Sequence, residues 1–342
     1  MTAPPDKQRP LAPSRFIRET QRVPGGMRHR APLVEKSRRA IAEGSKSFSA
    51  ASRLFDKTTR ERVWMLYAWC RRCDDLADAQ DMGGELGDQS DIAAAVKHIR
   101  VLTKAALEGQ PTSDPAFDAF GQVAAECGLT MDDAEAVIAG FELDAEDWRP
   151  RTEPDLMRYC WHVAGAVGVM MALVMGVARD DTFTLDRAAD LGFAFQLANI
   201  ARDVVEDDAA GRCYLPAEWL VEEDIEPGQH TKPHHRQELA DMAAKLVALM
   251  EHHATASRIG AARLPFRSRW AILSAARIYT AIGREVQAKG TAAWDHRVYT
   301  SKLQKLGHVI AALFEAARNR PPQLARMPKW TREELAEMGR AA

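Results

Sequence analysis

The run Leu191-Gly192-Phe193-Ala194-Phe195-Gln196-Leu197-Ala198-Asn199-Ile200-Ala201-Arg202-Asp203-Val204-Val205-Glu206-Asp207 decides how this chain is read. Gln196, Asn199, Asp203 and Asp207 recur at spacings of three, four and four, which puts them on one side of an α-helix. Leu191, Phe193, Phe195, Leu197, Ile200, Val204 and Val205 fill other positions of the same helix. Amides and carboxylates set among apolar residues need partners, because unpaired buried polar groups are expensive.

A second acidic stretch lies upstream, Arg71-Arg72-Cys73-Asp74-Asp75-Leu76-Ala77-Asp78. On a helix Asp74 and Asp78 stand one turn apart on one face, and Asp75 points elsewhere. Like charges at this spacing repel unless a cation sits between them. Asp203 and Asp207 repeat the spacing, so two such pairs facing one cavity form a candidate multi-metal site. Hard oxygen ligands favour Mg²⁺ or Mn²⁺ over zinc. Mg²⁺ takes one or two carboxylates and fills its other positions with water or phosphate oxygens, so the natural ligand between the pairs is a diphosphate. Arg71, Arg202 and Arg212 stand beside the acids, and a planar guanidinium suits phosphate. The adjacent pairs His234-His235 and His252-His253 point apart on a helix and make no competing metal motif.

Around these stretches the apolar spacing is helical almost throughout from residue 33 onward, and no strand pattern intervenes, so the fold class is all-α. Residues 58–79 read as one helix without Pro or Gly, followed by a loop at Gly83-Gly84 and Gly87. Thr130 before Met131-Asp132-Asp133 reads as an N-cap, of a helix running to about Trp148. Arg320-Pro321-Pro322 ends the last core helix. Tyr159 to Ala178 is a 20-residue stretch without charge. It is long enough to cross a bilayer, but its glycines and His162 favour a helix buried in the protein. Small residues on that helix would leave room for a ligand.

The bulk numbers exclude little more. Lys and Arg total 46 against 48 Asp and Glu, a net charge of −2, so nothing suggests a nucleic-acid partner. The five cysteines read as reduced thiols in a cytosolic protein, with Cys70 and Cys73 as small core residues. The first 40 residues carry ten basic against three acidic residues and several prolines. They hold no apolar signal region, and residues 1–32 are expected to be a disordered basic arm with no function of its own, weak attraction to anionic lipid being the alternative.

The order of these stretches resembles the squalene and phytoene synthase family. Asn199-Ile200-Ala201-Arg202-Asp203, Asp207 and Arg212-Cys213-Tyr214-Leu215-Pro216 are similar to its second signature. Tyr159-Cys160 with Val163-Ala164-Gly165-Ala166-Val167-Gly168 is similar to its first, and Ser45-Lys46-Ser47-Phe48 and Cys70 to Asp75 to its opening motifs. Leu264-Pro265-Phe266-Arg267-Ser268 and Ala293-Trp294-Asp295-His296-Arg297 resemble the bacterial phytoene synthase branch. Ala77 stands where relatives often carry a larger apolar residue.

The resemblance implies a single α-helical isoprenoid-synthase domain around a central cavity, residues 33–320, followed by a tail, 321–342. It implies Mg²⁺, with Mn²⁺ able to substitute, held by Asp74, Asp78, Asn199, Asp203 and Asp207. Ser45, Arg71, Arg202, Tyr279, Arg297 and Lys305 would contact diphosphate, while Phe48, Tyr159 and Gln196 would line the cavity. The implied reaction joins two geranylgeranyl diphosphates head to head without NADPH, with Tyr159 or released diphosphate taking the proton. The implied setting is cytoplasmic, at the inner membrane face, with lipid and other carotenoid-pathway enzymes as partners. The rival readings are a squalene or dehydrosqualene synthase acting on farnesyl diphosphate, and a non-catalytic relative serving as a binding or assembly protein. The lack of a hydrophobic C-terminal anchor argues against the eukaryotic squalene synthase type.

Overall fold

The computed structural model describes residues 30–78, 92–146 and 148–338, and among them no strand occurs. Residues 1–29 of the basic arm and the Gly83-Gly84-Gly87 loop lie outside the described residues. The first helix, α1, spans Arg30–Gly44, so residues 30–32 of the expected arm are its first turn. Arg30 is buried and pairs with Glu61 and Glu126, and Arg62 meets Glu126 at 2.8 Å.

Helix α2 is Lys46–Ser52 and α3 is Lys57–Ala77, the latter within two residues of the expected bounds. The Asp56 side chain accepts from Thr59 N and starts α3. Helices α4 (Ile92–Leu107), α5 (Pro115–Cys127) and α6 (Met131–Ala145) follow. Thr130 and Asp133 form the expected cap of α6, which ends at Ala145 rather than near Trp148. Trp69 of α3 stacks on Phe120 of α5 at 4.2 Å, fixing one half of the molecule around α3.

The other half is built on α9, Thr182–Ala209, a 28-residue helix about 42 Å long. Asp181 caps it by accepting from Thr184 N. It packs against α11 (Arg236–Ala261) and α12 (Phe266–Lys289), and a short α10 (Ala217–Glu222) precedes them. Asp190 of α9, fully buried, meets His253 Nδ1 at 2.6 Å and pairs with Arg187 at 2.9 Å, which ties α9 to α11.

The charge-free stretch divides into α7 (Glu153–Cys160), a π-helical turn at Trp161–Gly165 and α8 (Ala166–Val174). Glu153–Val174 is long and apolar enough to cross a membrane, yet 67% of its apolar window is buried inside the fold. Burial is therefore where this helix satisfies its all-round apolar surface. Its small residues do more than leave room. A Cβ on Gly168 would stand 2.4 Å from Ala188 O, and one on Gly192 of α9 would stand 2.3 Å from Ala164 O. Backbone meets backbone at both ends of this crossing, which requires glycine.

Helix α13 (Lys302–Arg318) packs on α12, with Trp270 Nε1 donating to Val309 O at 2.9 Å. Beyond Pro321-Pro322 the chain is not only a tail. Helix α14, Arg332–Met338, returns to α7 and buries Leu335 completely, and Arg332 meets Asp186 at 3.0 Å.

Candidate active site

The α3 half and the α9 half enclose a cavity of about 540 Å³. Asp74 and Asp78 from α3 line it together with Gln196, Asn199, Asp203 and Asp207 from α9. Arg71, Arg202 and Arg212 line the same polar end. The spacing therefore brings both acidic pairs into one chamber.

Guanidinium groups tie this end together. Arg71 reaches Asp74 at 2.9 Å and Asp75 at 2.6 Å, so Asp75 is the buried support of Arg71 and not a lining residue. Arg202 Nε donates to Asp203 Oδ1 at 2.7 Å, and Arg297, more than half exposed, meets that oxygen at 2.9 Å. Arg212 follows the end of α9, where its N–H bonds Asp207 O at 2.8 Å. Its guanidinium donates to Asp78 at 2.6 Å, joining the two acid-bearing helices.

Burial raises the acids. Asp207 is pushed up to about 7, first by burial and then by Asp203 beside it. Asp74 is pushed up to about 6 by burial, with Arg71 opposing and Asp78 adding to the rise. A carboxylate raised in this way is one that a cation would stabilise.

The remaining walls are apolar and aromatic. Phe195 stacks on Tyr279 at 4.2 Å, and Phe48 leans on Tyr279 at 5.2 Å. Val163, Ala164, Val167 and Met171 come from the π turn and α8, and Leu264 and Ile272 from the α12 side. The π turn thus delivers lining residues, a common place for such distortions. Cys70 also lines the chamber, while Cys73 is buried in the core.

Three expected residues stand apart from the lining. Ser45 caps α2 by accepting from Phe48 N at 3.3 Å and hydrogen-bonds Tyr279. Arg297 reaches the site through Asp203. Lys305 lies in the first turn of α13, outside the cavity lining.

Asp144 joins the site without any mark in its local sequence. It sits in the last turn of α6, lines the chamber, and accepts from Tyr214 at 3.0 Å and Tyr159 at 3.3 Å. Those tyrosines stack at 4.5 Å. Burial pushes Asp144 up to about 6 and raises Tyr159 far above its ordinary value, so Tyr159 is a neutral phenol donating to a carboxylate.

Among the described residues, no three carboxylate, imidazole or thiol groups converge into a ready-made metal cage. The donor set still fits Mg²⁺, which needs only one or two protein carboxylates when phosphate oxygens complete its shell. Zinc, which prefers closed nitrogen and sulfur sites, finds none among the described residues.

A model of the squalene/phytoene synthase family matches residues 41–304, the span that contains both acidic pairs and the chamber walls. The chain belongs to the squalene/phytoene synthase family. It is 44% identical over 299 residues to a phytoene synthase of Pseudescherichia vulneris, covering 87% of this chain and 96% of that one. It is 42% identical over 306 residues to a 15-cis-phytoene synthase of Pantoea ananas, covering 88% and 98%. Among solved structures, a dehydrosqualene synthase in complex with ligand superposes with a TM-score of 0.75 at 26% identity, covering 84% of this chain and 98% of that one. The fold is thus the squalene/phytoene synthase fold, and a prenyl-transferring enzyme is the family's kind of catalyst.

Proposed function

We propose that the chain is a phytoene synthase, joining two geranylgeranyl diphosphates head to head and releasing both diphosphates. One observation carries this reading: two carboxylate pairs with their arginines close the polar end of a single chamber whose other walls are apolar and aromatic. That arrangement suits a substrate with a diphosphate head and a long hydrocarbon tail.

Mg²⁺, held by Asp74, Asp78, Asn199, Asp203 and Asp207, would supply charge neutralisation of the leaving diphosphate. Arg71, Arg202, Arg212 and Arg297 bind and orient the two heads and stabilise the departing anions. The first molecule ionises to an allylic cation. The double bond of the second attacks it, and loss of a proton closes a cyclopropane, giving prephytoene diphosphate. Its diphosphate then leaves, the cation rearranges, and a second proton is lost to give phytoene. Phe48, Phe195 and Tyr279 line the chamber, where aromatic rings stabilise cations and exclude water. Gln196 lines the same chamber. Tyr159, being neutral, is a poor base alone. Its hydroxyl leads to Asp144, whose raised carboxyl accepts a proton more readily than an ordinary aspartate, and released diphosphate is the other acceptor.

The reaction is expected to run with Mg²⁺ or Mn²⁺, to stop on chelation, to ignore zinc and to need no NADPH. The test supplies geranylgeranyl and farnesyl diphosphate separately and identifies the hydrocarbons. A 40-carbon product from the first supports the reading. Turnover confined to farnesyl diphosphate would make the chain a squalene-type synthase, and no turnover of either would favour a binding protein. We place the chain in the cytoplasm at the inner membrane face, because a hydrocarbon product leaves toward lipid, and other carotenoid enzymes would collect it there.

The raised acids add a pH prediction. Asp207 must lose its proton to accept a cation, and its pKa is about 7. Below that value protons compete with metal, so the Mg²⁺ concentration for half-maximal rate should rise about tenfold per pH unit for one proton. An ordinary aspartate near 3.9 would give a flat response between pH 8 and 6. Flat behaviour in this window would mean that burial and Asp203 do not hold Asp207 above the ordinary aspartate range.

A further inference from the structure

Five of the ten exposed large apolar side chains among the described residues fall between Tyr299 and Phe314. Four lie on α13: Leu303 (79% exposed), Leu306 (55%), Ile310 (47%) and Phe314 (59%). Their spacings of three, four and four put them on one side of the helix. The opposite side is already used. Ala312 and Ala316 are fully buried, and Glu315 is held by Arg258 at 3.0 Å and Arg277 at 2.7 Å.

A helix on the surface of a globular protein ordinarily turns its apolar stripe inward and its polar face outward. Here the outward side is apolar. Glu315 is the helix's one acid, and its two arginine partners neutralise it on the inner side. From Leu306 to Phe314 no Asp, Glu, Lys or Arg occurs. Cations stand at both ends, Lys302 and Lys305 in the first turn, Arg318 in the last and Arg320 just beyond it. Tyr299, 80% exposed, precedes the helix, an aromatic of the kind that settles at membrane–water boundaries.

We infer that the outer face of α13 docks the chain on an anionic lipid bilayer. Leu303, Leu306, Ile310 and Phe314 enter the boundary between headgroups and acyl chains, and Lys302, Arg318 and Arg320 meet lipid phosphates. The charge rim selects this occupant: all four terminal charges share one sign, and an exposed apolar stripe with cationic ends matches a helix lying in the plane of an interface. The inference deepens the proposed function and rests on it for why lipid contact is useful. Helix α12, beneath α13, lines the chamber from its other side through Ala271, Ala275 and Tyr279.

The test is co-sedimentation of the full chain with vesicles of phosphatidylglycerol mixed into phosphatidylcholine, and with phosphatidylcholine alone. The Leu303→Gln/Ile310→Gln/Phe314→Gln variant should lose about tenfold or more of its partitioning at physiological salt. Arg318→Gln/Arg320→Gln should weaken binding to the anionic vesicles and leave the neutral ones unchanged. Both variants should keep parental turnover in detergent solution, which separates lost docking from lost chemistry. Absent turnover in the parental chain would defeat the functional reading and leave the vesicle result standing. Parental binding by the triple variant, or no vesicle binding by the parental chain, would overturn the inference. So would light scattering that shows a parental dimer and a monomeric triple variant, because a second copy would then cover the face.

Discussion

Asp203→Asn is expected to fold normally and to lose turnover by about 10³-fold, about 4 kcal/mol of transition-state stabilisation. Asp203 lies at the centre of the polar end, where Arg202 and Arg297 both meet it and where its charge helps raise Asp207. Asparagine keeps the shape and loses the charge. It removes one carboxylate of the proposed metal set and releases two arginines from their partner. Folding should be spared, because neither Arg202 nor Asp203 is among the fully buried groups. The checks are a thermal melt beside a single-turnover rate at saturating Mg²⁺. A parental rate would remove the acidic pairs from the chemistry.

Gly192→Ala should destabilise the fold, although alanine is the better helix former by about 1 kcal/mol. The added Cβ would lie 2.3 Å from Ala164 O, 2.5 Å from Ala164 C and 2.8 Å from Gly165 Cα. These are backbone atoms and cannot rotate aside. Helix α9 must move from the π turn, and overpacking of this kind costs about 1–3 kcal/mol beyond the propensity gain. Because Gly192 and Ala164 both line the chamber, activity should fall with stability. Gly307→Ala on α13 is the control: nothing lies within 4 Å of its Cβ, so the melting temperature should hold or rise. A Gly192→Ala melting temperature at or above the parental value would mean that the helices do not approach this closely.

The sequence made some of this legible and hid the rest for identifiable reasons. Helix α3, the Thr130 cap and the polar stripe of α9 were readable because period and capping chemistry are local. The stripe placed Gln196, Asn199, Asp203 and Asp207 correctly on one lining. Asp75 was readable as pointing away, but its support of Arg71 needed coordinates. Asp144 carried no local mark: it is one acid in an acidic helix end, and its partners Tyr159 and Tyr214 lie 15 and 70 residues away. The Arg187–Asp190–His253 cluster was hidden likewise, since His253 reads only as half of a histidine pair. The π turn leaves no periodic trace over five residues. The apolar spacing of α13 is helical, but only packing reveals that its apolar side faces outward.

The proposed function requires two prenyl diphosphates to meet between α3 and α9, heads at the arginine-bound acids and tails along the aromatic wall. A crystal structure of the chain with Mg²⁺ and an S-thiolo analogue of geranylgeranyl diphosphate, whose leaving group departs slowly, tests it most directly. Both diphosphates should lie among Asp74, Asp78, Asp203 and Asp207, with both tails running past Phe48, Phe195 and Tyr279. Heads bound away from these acids, or room for only one tail, would contradict it.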